Sequence, residues 1–234
     1  MAVFKPAFQL QQDGVQALLV ENRQLVRAGL QRVLEDTGIV KVTASVANCD
    51  EAIRMARKAQ VDLTIINMHG SAVSLLDGAR KLRRQFPKIR LLVLAPEHDL
   101  VIQDRLLQFG VSGCVSSHCS LEELMAAVDV ICRGGRYISD TLAQRLAGYR
   151  LPGGQKLPFD ELTHRELQIL LLVAEGKNTL SIARELCLTQ KTINTYRNRL
   201  LDKLGLETEV GLVHLAIRHG LYRLPEYGED RDRT

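Results

Sequence analysis

The sequence predicts an α/β doubly wound domain with a five-stranded parallel sheet, followed by a four-helix all-α domain. Two observations carry this prediction. Short apolar runs alternate with segments of helical period from Val15 to about Arg133, and no strand signal occurs from Leu162 onward. Strict strand–helix alternation is typical of a parallel sheet with helices on both faces, whereas helices without strands indicate an all-α domain.

The apolar runs are short and continuous, as expected for strands buried on both faces of a sheet. They are Val15–Val20, Ile39–Ala47, Val61–Ile66, Ile89–Leu94 and Gly113–Val115. The segments between them place apolar residues on one helical face. They are Arg23–Asp36, Glu51–Ala59, Val73–Gln85, Leu100–Phe109 and Leu121–Arg133. Sites in such sheets lie beyond the carboxyl ends of the strands, so the loops that follow the strands are the first place to look for function.

Changes in composition predict the domain boundaries. Residues 1–14 are an N-terminal extension, residues 15–147 the α/β domain with a last helix around Asp140–Ala147, and residues 148–160 a linker rich in proline and glycine. Residues 161–223 form the helical domain, and residues 224–234 a charged, disordered tail. The four helices of the second domain are predicted at Thr163–Glu175, Thr179–Leu186, Gln190–Leu204 and Glu209–His219.

Composition excludes several classes of protein. A hydrophobic fraction of 46% and a charged fraction of 25% are typical of globular domains. No apolar run approaches the roughly 18 residues that a membrane span needs, and Met1–Gly14 lacks the apolar centre of a secretory signal. We therefore expect a cytoplasmic protein. The net charge of +4 permits a nucleic-acid partner without requiring one.

The cysteines indicate neither a disulfide framework nor a zinc site. Their number, five, is odd, and no C-x-x-C pair occurs. Cys114, His118 and Cys119 are close in sequence, but we interpret them as residues around the end of a strand. No metal ion or other cofactor is expected.

The second domain contains the pattern of a helix-turn-helix. Thr163 and Glu166 have the spacing of a capping box, Gly176 ends the first helix, and Thr189 is placed to cap the third. The third helix has one apolar face, and its other face carries lysines, arginines and asparagines. Cations suit phosphates and side-chain amides suit base edges, so this helix is predicted to enter the major groove of duplex DNA.

The run LTHRELQILLLVAEGKNTLSIARELCLTQKTINTYRNRLLDKLGLETEVGLVHLAIRHGL resembles the LuxR-type domain of the NarL/FixJ response regulators, and KTINTYRNRLLDKL and HLAIRHGL are most similar to the GacA/UvrY branch. The resemblance implies base contacts by Asn194, Thr195 and Asn198, and phosphate contacts by Lys191, Thr192, Arg197, Arg199 and Lys203. It also implies a homodimer on DNA through the last helix, with Leu212, Leu215, Ala216 and His219 as candidates. For Leu212 and Leu215, a place in the core of the monomer is an equally good interpretation.

The same resemblance implies that residues 15–147 are a flavodoxin-like receiver domain. A working receiver forms an aspartyl phosphate, which requires an aspartate nucleophile, an acidic pair that helps to bind Mg²⁺, a hydroxyl and a lysine. The corresponding positions in this chain, here called the strand-end pocket, hold Glu21, Asn22, Asn67, Ala95 and Ser117. Because a neutral amide stands at the acceptor position, the receiver is predicted to be degenerate, without tight Mg²⁺ binding or phosphorylation.

Three functions remain open. The chain is an atypical regulator that binds DNA without phosphorylation, or a regulator gated by a small ligand or a partner protein at the strand-end pocket, or an adaptor that pairs with an intact regulator. Double-stranded DNA, a second copy, RNA polymerase and another regulator are the candidate partners. An enzyme is not expected, because the sequence contains no acid–base constellation for phosphotransfer or hydrolysis.

Overall fold

The computed structural model describes residues 14–67, 69–96, 99–150 and 158–222. They form two compact units. The first contains the described residues up to Pro96 and from Arg105 to Leu142, and the second contains those from Asp99 to Asp104 and from Ala143 onward. The predicted N-terminal extension, apart from Gly14, and the predicted tail at 224–234 lie outside the described residues, as does most of the predicted linker.

The first unit is built on a parallel sheet. Its strands are β1 (Val15–Val20), β2 (Val40–Val46), β3 (Leu63–Ile66), β4 (Arg90–Ala95), β5 (Gly113–Ser116) and β6 (Tyr137–Ile138). Their order in the sheet is β2-β1-β3-β4-β5-β6, and every neighbouring pair is parallel. From β1 the chain adds β2 on one side, and then adds β3 and the later strands on the other side. This change in strand order is the doubly wound arrangement that the sequence predicts.

The prediction of five strands is wrong, because the described part of the chain contains six. The additional strand, β6, has two residues, and it pairs Tyr137 with Gly113 and Ile138 with Cys114. Two residues cannot display an apolar run or an alternating pattern, so no sequence signal marked them. The edge of β5 supplies the hydrogen-bond partners that make this segment a strand.

Helices cover the sheet on both faces. They are α1 (Gln24–Asp36), α2 (Cys49–Ala56), α3 (Ala72–Gln85), α4 (Leu100–Gln108) and α5 (Leu121–Cys132). Three of them begin at a side chain that accepts a backbone N–H bond, namely Asn48, Ser71 and Ser120. These caps satisfy donors that the first helical turn leaves unpaired, so the helix starts are determined locally. The core between sheet and helices is aliphatic, with Leu19, Ile65 and Val115 fully buried.

Helix α6 (Asp140–Arg150) is three residues longer than predicted. It therefore includes Gly148, the predicted first residue of the linker. A glycine inside a helix costs about 1 kcal/mol relative to alanine, which the surrounding helical turns can offset. Residues 151–157 of the predicted linker lie outside the described residues.

The second unit contains the four predicted helices, α7 (His164–Ala174), α8 (Thr179–Glu185), α9 (Gln190–Leu204) and α10 (Glu209–Arg218). The predicted capping box is present, since Glu166 N–H donates to the Thr163 hydroxyl and Thr163 N–H donates to the Glu166 carboxylate. Helix α9 ends at Gly205, whose φ of +63° is a left-handed conformation that glycine adopts without strain. The core of this unit is formed around Phe159, Leu170 and Ile193, all fully buried.

Within the described residues, no helix combines the length and the apolar character that crossing a membrane would require.

Candidate nucleic-acid interface and strand-end pocket

Helix α9 is presented by a short turn after α8. The turn contains Cys187, whose φ of +53° lets the chain reverse direction within a few residues. The Thr189 side chain then accepts a hydrogen bond from Thr192 N–H at 3.1 Å, as predicted for its role as N-cap. Fifteen helical residues follow, a length of about 22 Å.

The two faces of α9 differ in burial as the sequence pattern predicts. Ile193 and Leu200 are fully buried, and the other members of the apolar face are partly buried. The exposed residues of the opposite face are Lys191, Asn194, Thr195, Asn198 and Arg199, and Thr192 is half-buried beside them. This surface offers cationic and amide donors together on one rigid element, the combination that phosphates and base edges accept.

Three of these side chains are not engaged elsewhere in the described structure. Lys191, Asn198 and Arg199 make no side-chain hydrogen bond or ion pair with any residue that the structure describes. Asn194 is close to the Thr179 hydroxyl at 3.5 Å, and the Thr195 hydroxyl donates to the Lys191 carbonyl at 3.0 Å. The donors of Lys191, Asn198 and Arg199 are therefore available to a ligand.

Arg197 lies in a different environment from the one that the predicted phosphate contact requires. Its Nη2 is 3.0 Å from the Glu209 carboxylate on α10, and its Nη1 donates to the Thr179 hydroxyl on α8 at 2.6 Å. Only 13% of the side chain is exposed. Arg197 therefore links three helices of its own unit, and most of its surface is directed inward.

Lys203 is also engaged within the unit. Its ammonium group is 2.8 Å from the Glu166 carboxylate and 3.4 Å from the Glu161 carbonyl oxygen. Burial alone would raise the pKa of Glu166, but hydrogen bonds from Lys203 and from the backbone and hydroxyl of Thr163, together with the Lys203 charge, lower it below its usual value. The ion pair joins the end of α9 to the start of α7.

The predicted dimerisation residues are mostly packed inside the monomer. Leu212 and Ala216 are fully buried, so neither offers surface to a second copy, and the interpretation of Leu212 as monomer core is correct. Leu215 is half-buried, and the His219 ring meets Phe159 edge to face with 5.5 Å between ring centres. The exposed part of α10 lies elsewhere, with Val210 62% exposed and His214 also exposed. Leu212 and Ala216 are buried together because they are one helical turn apart on the face of α10 that packs against α7.

All five strand-end pocket residues lie at the carboxyl ends of four consecutive strands of the sheet, β1, β3, β4 and β5, with Ala95 as the last residue of β4. Asn67 N–H donates to the Val20 carbonyl at 2.8 Å, which brings Asn67 beside Glu21. Ser117 N–H donates to the Ala95 carbonyl at 3.0 Å. The parallel register therefore gathers positions that are widely separated in sequence at one edge of the sheet, as the resemblance to receivers implies.

The Glu21 carboxylate is fully buried and is surrounded by nitrogen donors. The Asn67 side-chain amide donates to Oε2 at 2.7 Å. Arg23 approaches with both Nε, 3.2 Å from Oε1, and Nη2, 3.1 Å from Oε2, and its backbone N–H donates to Oε1 at 2.7 Å. No sequence signal marks Arg23 as a pocket residue, because its position directly before α1 does not reveal which way its long side chain turns.

The remaining pocket positions hold Asn22, Ala95 and Ser117, where the resemblance predicts a carboxylate, a hydroxyl and a lysine. Asn22 is paired with the backbone of His69, donating to its carbonyl at 2.9 Å and accepting from its N–H at 3.3 Å. Ala95 has no hydroxyl and is fully buried, and Ser117 is too short to substitute for a lysine. A carboxamide is not a nucleophile that can form an acyl phosphate at Asn67.

The Mg²⁺ ion that receivers bind does not fit this donor set. Mg²⁺ requires oxygen ligands in octahedral geometry, and carboxylates provide most of its binding energy. The strand-end pocket has one carboxylate, and both of its oxygens already accept N–H bonds. No group of three or more His, Cys, Asp and Glu side chains elsewhere in the described ranges is arranged to hold a metal ion.

Cys114, considered above with His118 and Cys119, is fully buried on β5. Burial raises the pKa of its thiol to about 12, and a thiol that stays protonated is a poor metal ligand.

Two family matches together cover most of the chain. Residues 17–129 match the response regulator receiver domain, and residues 160–216 match the luxR family of bacterial regulatory proteins. The chain belongs to the LuxR-type response regulators. Among its relatives are response regulator UvrY of Escherichia coli (strain K12), 33% identical over 88% of this chain and 95% of that protein, and response regulator GacA of Pseudomonas aeruginosa, 34% identical over 88% and 97%.

Solved structures show the same fold. RcsB from Salmonella enterica serovar Typhimurium, bound to promoter rprA in the presence of phosphomimetic BeF3⁻, superimposes with a TM-score of 0.66 at 20% identity, covering 87% of this chain and 98% of that chain. A structure of two RcsB dimers bound to two parallel DNAs gives a TM-score of 0.54 at 20% identity, covering 88% and 98%.

Proposed function

We propose that this protein is a sequence-specific DNA-binding transcription regulator that acts without aspartyl phosphorylation. The observation that carries the first half of the proposal is the exposed face of α9, where Lys191, Asn198 and Arg199 present donors that no described residue of the chain uses. The RcsB structures named above were solved on DNA, which supports a docking role for the corresponding domain of this chain.

The division of contacts follows from chemistry. Asn198 and Asn194 offer amide groups that can bond an adenine edge in two places, and Lys191 and Arg199 offer cations for phosphates. Arg197 and Lys203 take part indirectly, because their ion pairs hold α9 against its neighbours. Thr192 and Thr195 remain candidates for contacts through their hydroxyl groups.

The second half of the proposal is supported by the strand-end pocket. An amide stands in place of the acceptor carboxylate, and the hydroxyl and lysine positions hold Ala95 and Ser117. DNA binding is therefore available without a phosphate at Asn67. Intact-mass measurement after incubation with a small phosphodonor is expected to show no added phosphoryl group; an adduct mapped to the receiver domain would refute phosphorylation independence.

We further propose that the protein binds DNA as a homodimer, with the exposed part of α10 at the interface. Leu212 and Ala216 are buried, so the proposed dimer contact is made by other residues of α10. They are the exposed Val210 and His214 and the accessible parts of Leu215 and His219. Val210→Glu is expected to reduce cooperative binding to a two-fold-symmetric site without unfolding the domain. Unchanged dimerisation in analytical ultracentrifugation with DNA would place the interface elsewhere.

A mobility-shift assay with unmodified protein at several salt concentrations tests the proposal directly. Asn198→Ala is expected to relax base preference by about 1–3 kcal/mol, while Arg199→Ala weakens binding to all sequences and lowers the salt slope. Arg32→Ala, a substitution on the exposed side of α1, is the matched control and should leave binding unchanged. Absence of a shift with wild-type protein at low salt would favour the adaptor function instead, and binding only after addition of a ligand would favour gating at the pocket.

A further inference from the structure

We propose that the Arg23 guanidinium takes the place of the divalent cation in the strand-end pocket, so that the pocket is neutralised from within the chain and recruits no Mg²⁺. The inference rests on the proposed function, which it deepens by explaining why this receiver needs no metal ion. It differs from a simple loss of ligands, because it assigns a positive role to a residue that lies outside the five positions of the pocket.

The geometry of the Arg23–Glu21 contact is that of a two-point ion pair. Nε lies 3.2 Å from one carboxylate oxygen and Nη2 lies 3.1 Å from the other. The planar guanidinium matches a carboxylate in this fork-to-fork arrangement, which gives both orientation and energy. The Arg23 backbone N–H adds a third bond at 2.7 Å, so the turn between β1 and α1 is fastened to the same carboxylate.

The oxygens that a cation would need are already used. Glu21 Oε1 accepts bonds from the Arg23 backbone N–H and Nε, and Oε2 accepts bonds from Arg23 Nη2 and the Asn67 amide. The His69 carbonyl accepts a bond from the Asn22 amide. Within the described residues, Asn67 Oδ1 is the buried pocket oxygen without a partner, and one neutral oxygen is far from an octahedral ligand set.

The positive charges around Glu21 also disfavour binding of a metal ion. A second arginine, Arg27, donates from Nη1 to the Glu21 backbone carbonyl at 2.7 Å. Two guanidinium groups therefore contact a residue that carries a single negative charge. A working receiver pocket is strongly acidic and attracts a dication, whereas this one is already compensated and would repel it.

Because the Glu21 carboxylate is buried, it requires a positive group beside it. The Glu21 side chain is 0% exposed, and a buried carboxylate without a counter-charge is strongly unfavourable. The Arg23 side chain is 43% exposed, so it can remain hydrated on one side while neutralising the carboxylate on the other. The guanidinium thus supplies the charge that the metal ion supplies in a working receiver.

The test uses the full chain in four forms: wild type, Arg23→Met, Arg23→Met with Asn67→Asp, and the control Arg32→Met. Arg32 is a suitable control because it lies on α1, the helix that begins directly after Arg23, and pairs with Asp36 at the surface, where it is 78% exposed. Thermal unfolding and Mn²⁺ binding by electron paramagnetic resonance are measured for each form, with Mg²⁺ as competitor. Mn²⁺ serves as a spectroscopic substitute for Mg²⁺ because both prefer oxygen ligands.

The expected results separate the proposal from its alternatives. Wild type and Arg32→Met bind no Mn²⁺ and unfold at similar temperatures. Arg23→Met unfolds roughly 5 °C or more below wild type, and the double variant, with two carboxylates and no arginine, binds Mn²⁺ saturably. If Arg23→Met does not fold, Arg23→Lys replaces it. Because lysine keeps the charge but cannot make the two-point contact, Arg23→Lys is expected to unfold below the control Arg32→Met and to bind no Mn²⁺, and an Arg23→Lys protein as stable as the control would overturn the proposal.

Saturable Mn²⁺ binding by wild type would overturn the proposal, as would an Arg23→Met protein as stable as the control. A double variant that binds no Mn²⁺ would also overturn it, because Arg23 would then not be what excludes the cation. DNA binding by wild type in EDTA is measured in parallel. A wild type that binds Mn²⁺ and also binds DNA unphosphorylated would refute this inference alone and leave the proposed function standing.

Discussion

Arg197→Met is expected to destabilise the helical unit while leaving its ionic contacts with DNA intact. Arg199→Met is expected to leave the stability unchanged and to remove one ionic contact with DNA. Both residues are arginines on α9, two positions apart, and the sequence pattern assigns them the same role. The structure separates them, because Arg197 is paired with Glu209 and Thr179, whereas Arg199 is exposed and unpaired among the described residues.

The magnitude for Arg197 follows from its surroundings. A hydrogen bond to a charged group contributes about 1.5–3 kcal/mol, and an exposed ion pair about 0.2–1 kcal/mol. The Arg197 side chain is 13% exposed but Glu209 is 47% exposed, so the ion pair is partly screened. We expect Arg197→Met to lower the free energy of unfolding by about 1–3 kcal/mol. Glu209→Gln, which keeps the volume and removes the charge, should lose less.

Two assays check this pair of variants. Urea unfolding followed by circular dichroism measures stability, and titration of labelled DNA across a salt series measures ionic contacts. For Arg199→Met we expect unchanged stability and a salt slope smaller by about 0.9, the value for one lost phosphate contact. An Arg197→Met protein that changes stability by less than about 0.5 kcal/mol and lowers the salt slope as much as Arg199→Met would show that Arg197 contacts phosphate rather than holding the helices together.

Three further predictions concern single contacts. The pKa of Glu166 is lowered in the folded state, so its ion pair with Lys203 stabilises the protein at pH values above the ordinary pKa of 4.5, and this contribution is lost as the pH falls through the folded pKa. Lys203→Met should therefore reduce the loss of stability between pH 6 and pH 3, measured by urea unfolding. Gly78→Ala should destabilise the protein by about 1–3 kcal/mol, because a Cβ there would overlap the side chain of Cys49. Gly29→Ala on α1 is the matched variant: its Cβ would meet nothing within 4 Å, so it should stabilise the protein by up to about 1 kcal/mol in the same urea assay. Burial raises the pKa of the Cys49 thiol to about 12, so iodoacetamide at neutral pH should leave it unmodified in wild type and modify it in Gly78→Ala, as read by peptide mass mapping.

Local signals were sufficient for most of the helical unit. The capping box of Thr163 and Glu166 and the N-cap at Thr189 depend on residues three positions apart, so the sequence contains the whole interaction. The two faces of α9 follow in the same way from helical period. The strand-end pocket was predictable for a different reason, since parallel topology brings the carboxyl ends of the strands to one edge whatever lies between them.

Only the tertiary structure decided the roles of several long side chains. Arg23, Arg197 and Lys203 each have a reach of several ångströms, and a one-dimensional pattern does not contain the position of Glu21, Glu209 or Glu166, their respective partners. The same holds for Leu212, which an apolar helical face could direct toward either the monomer core or a second copy.

The sequence by itself therefore determined the family and the order of nearly all elements, and it has an amide, Asn67, where the resemblance to receivers predicts the acceptor carboxylate. Each of these depends on residue type and short-range spacing. The tertiary structure decided the sixth strand, the inward direction of Arg197 and the cationic group beside Glu21. These depend on contacts between residues brought together only by folding. The strength of such contacts is determined by burial and by the distance between charges, which a sequence does not specify.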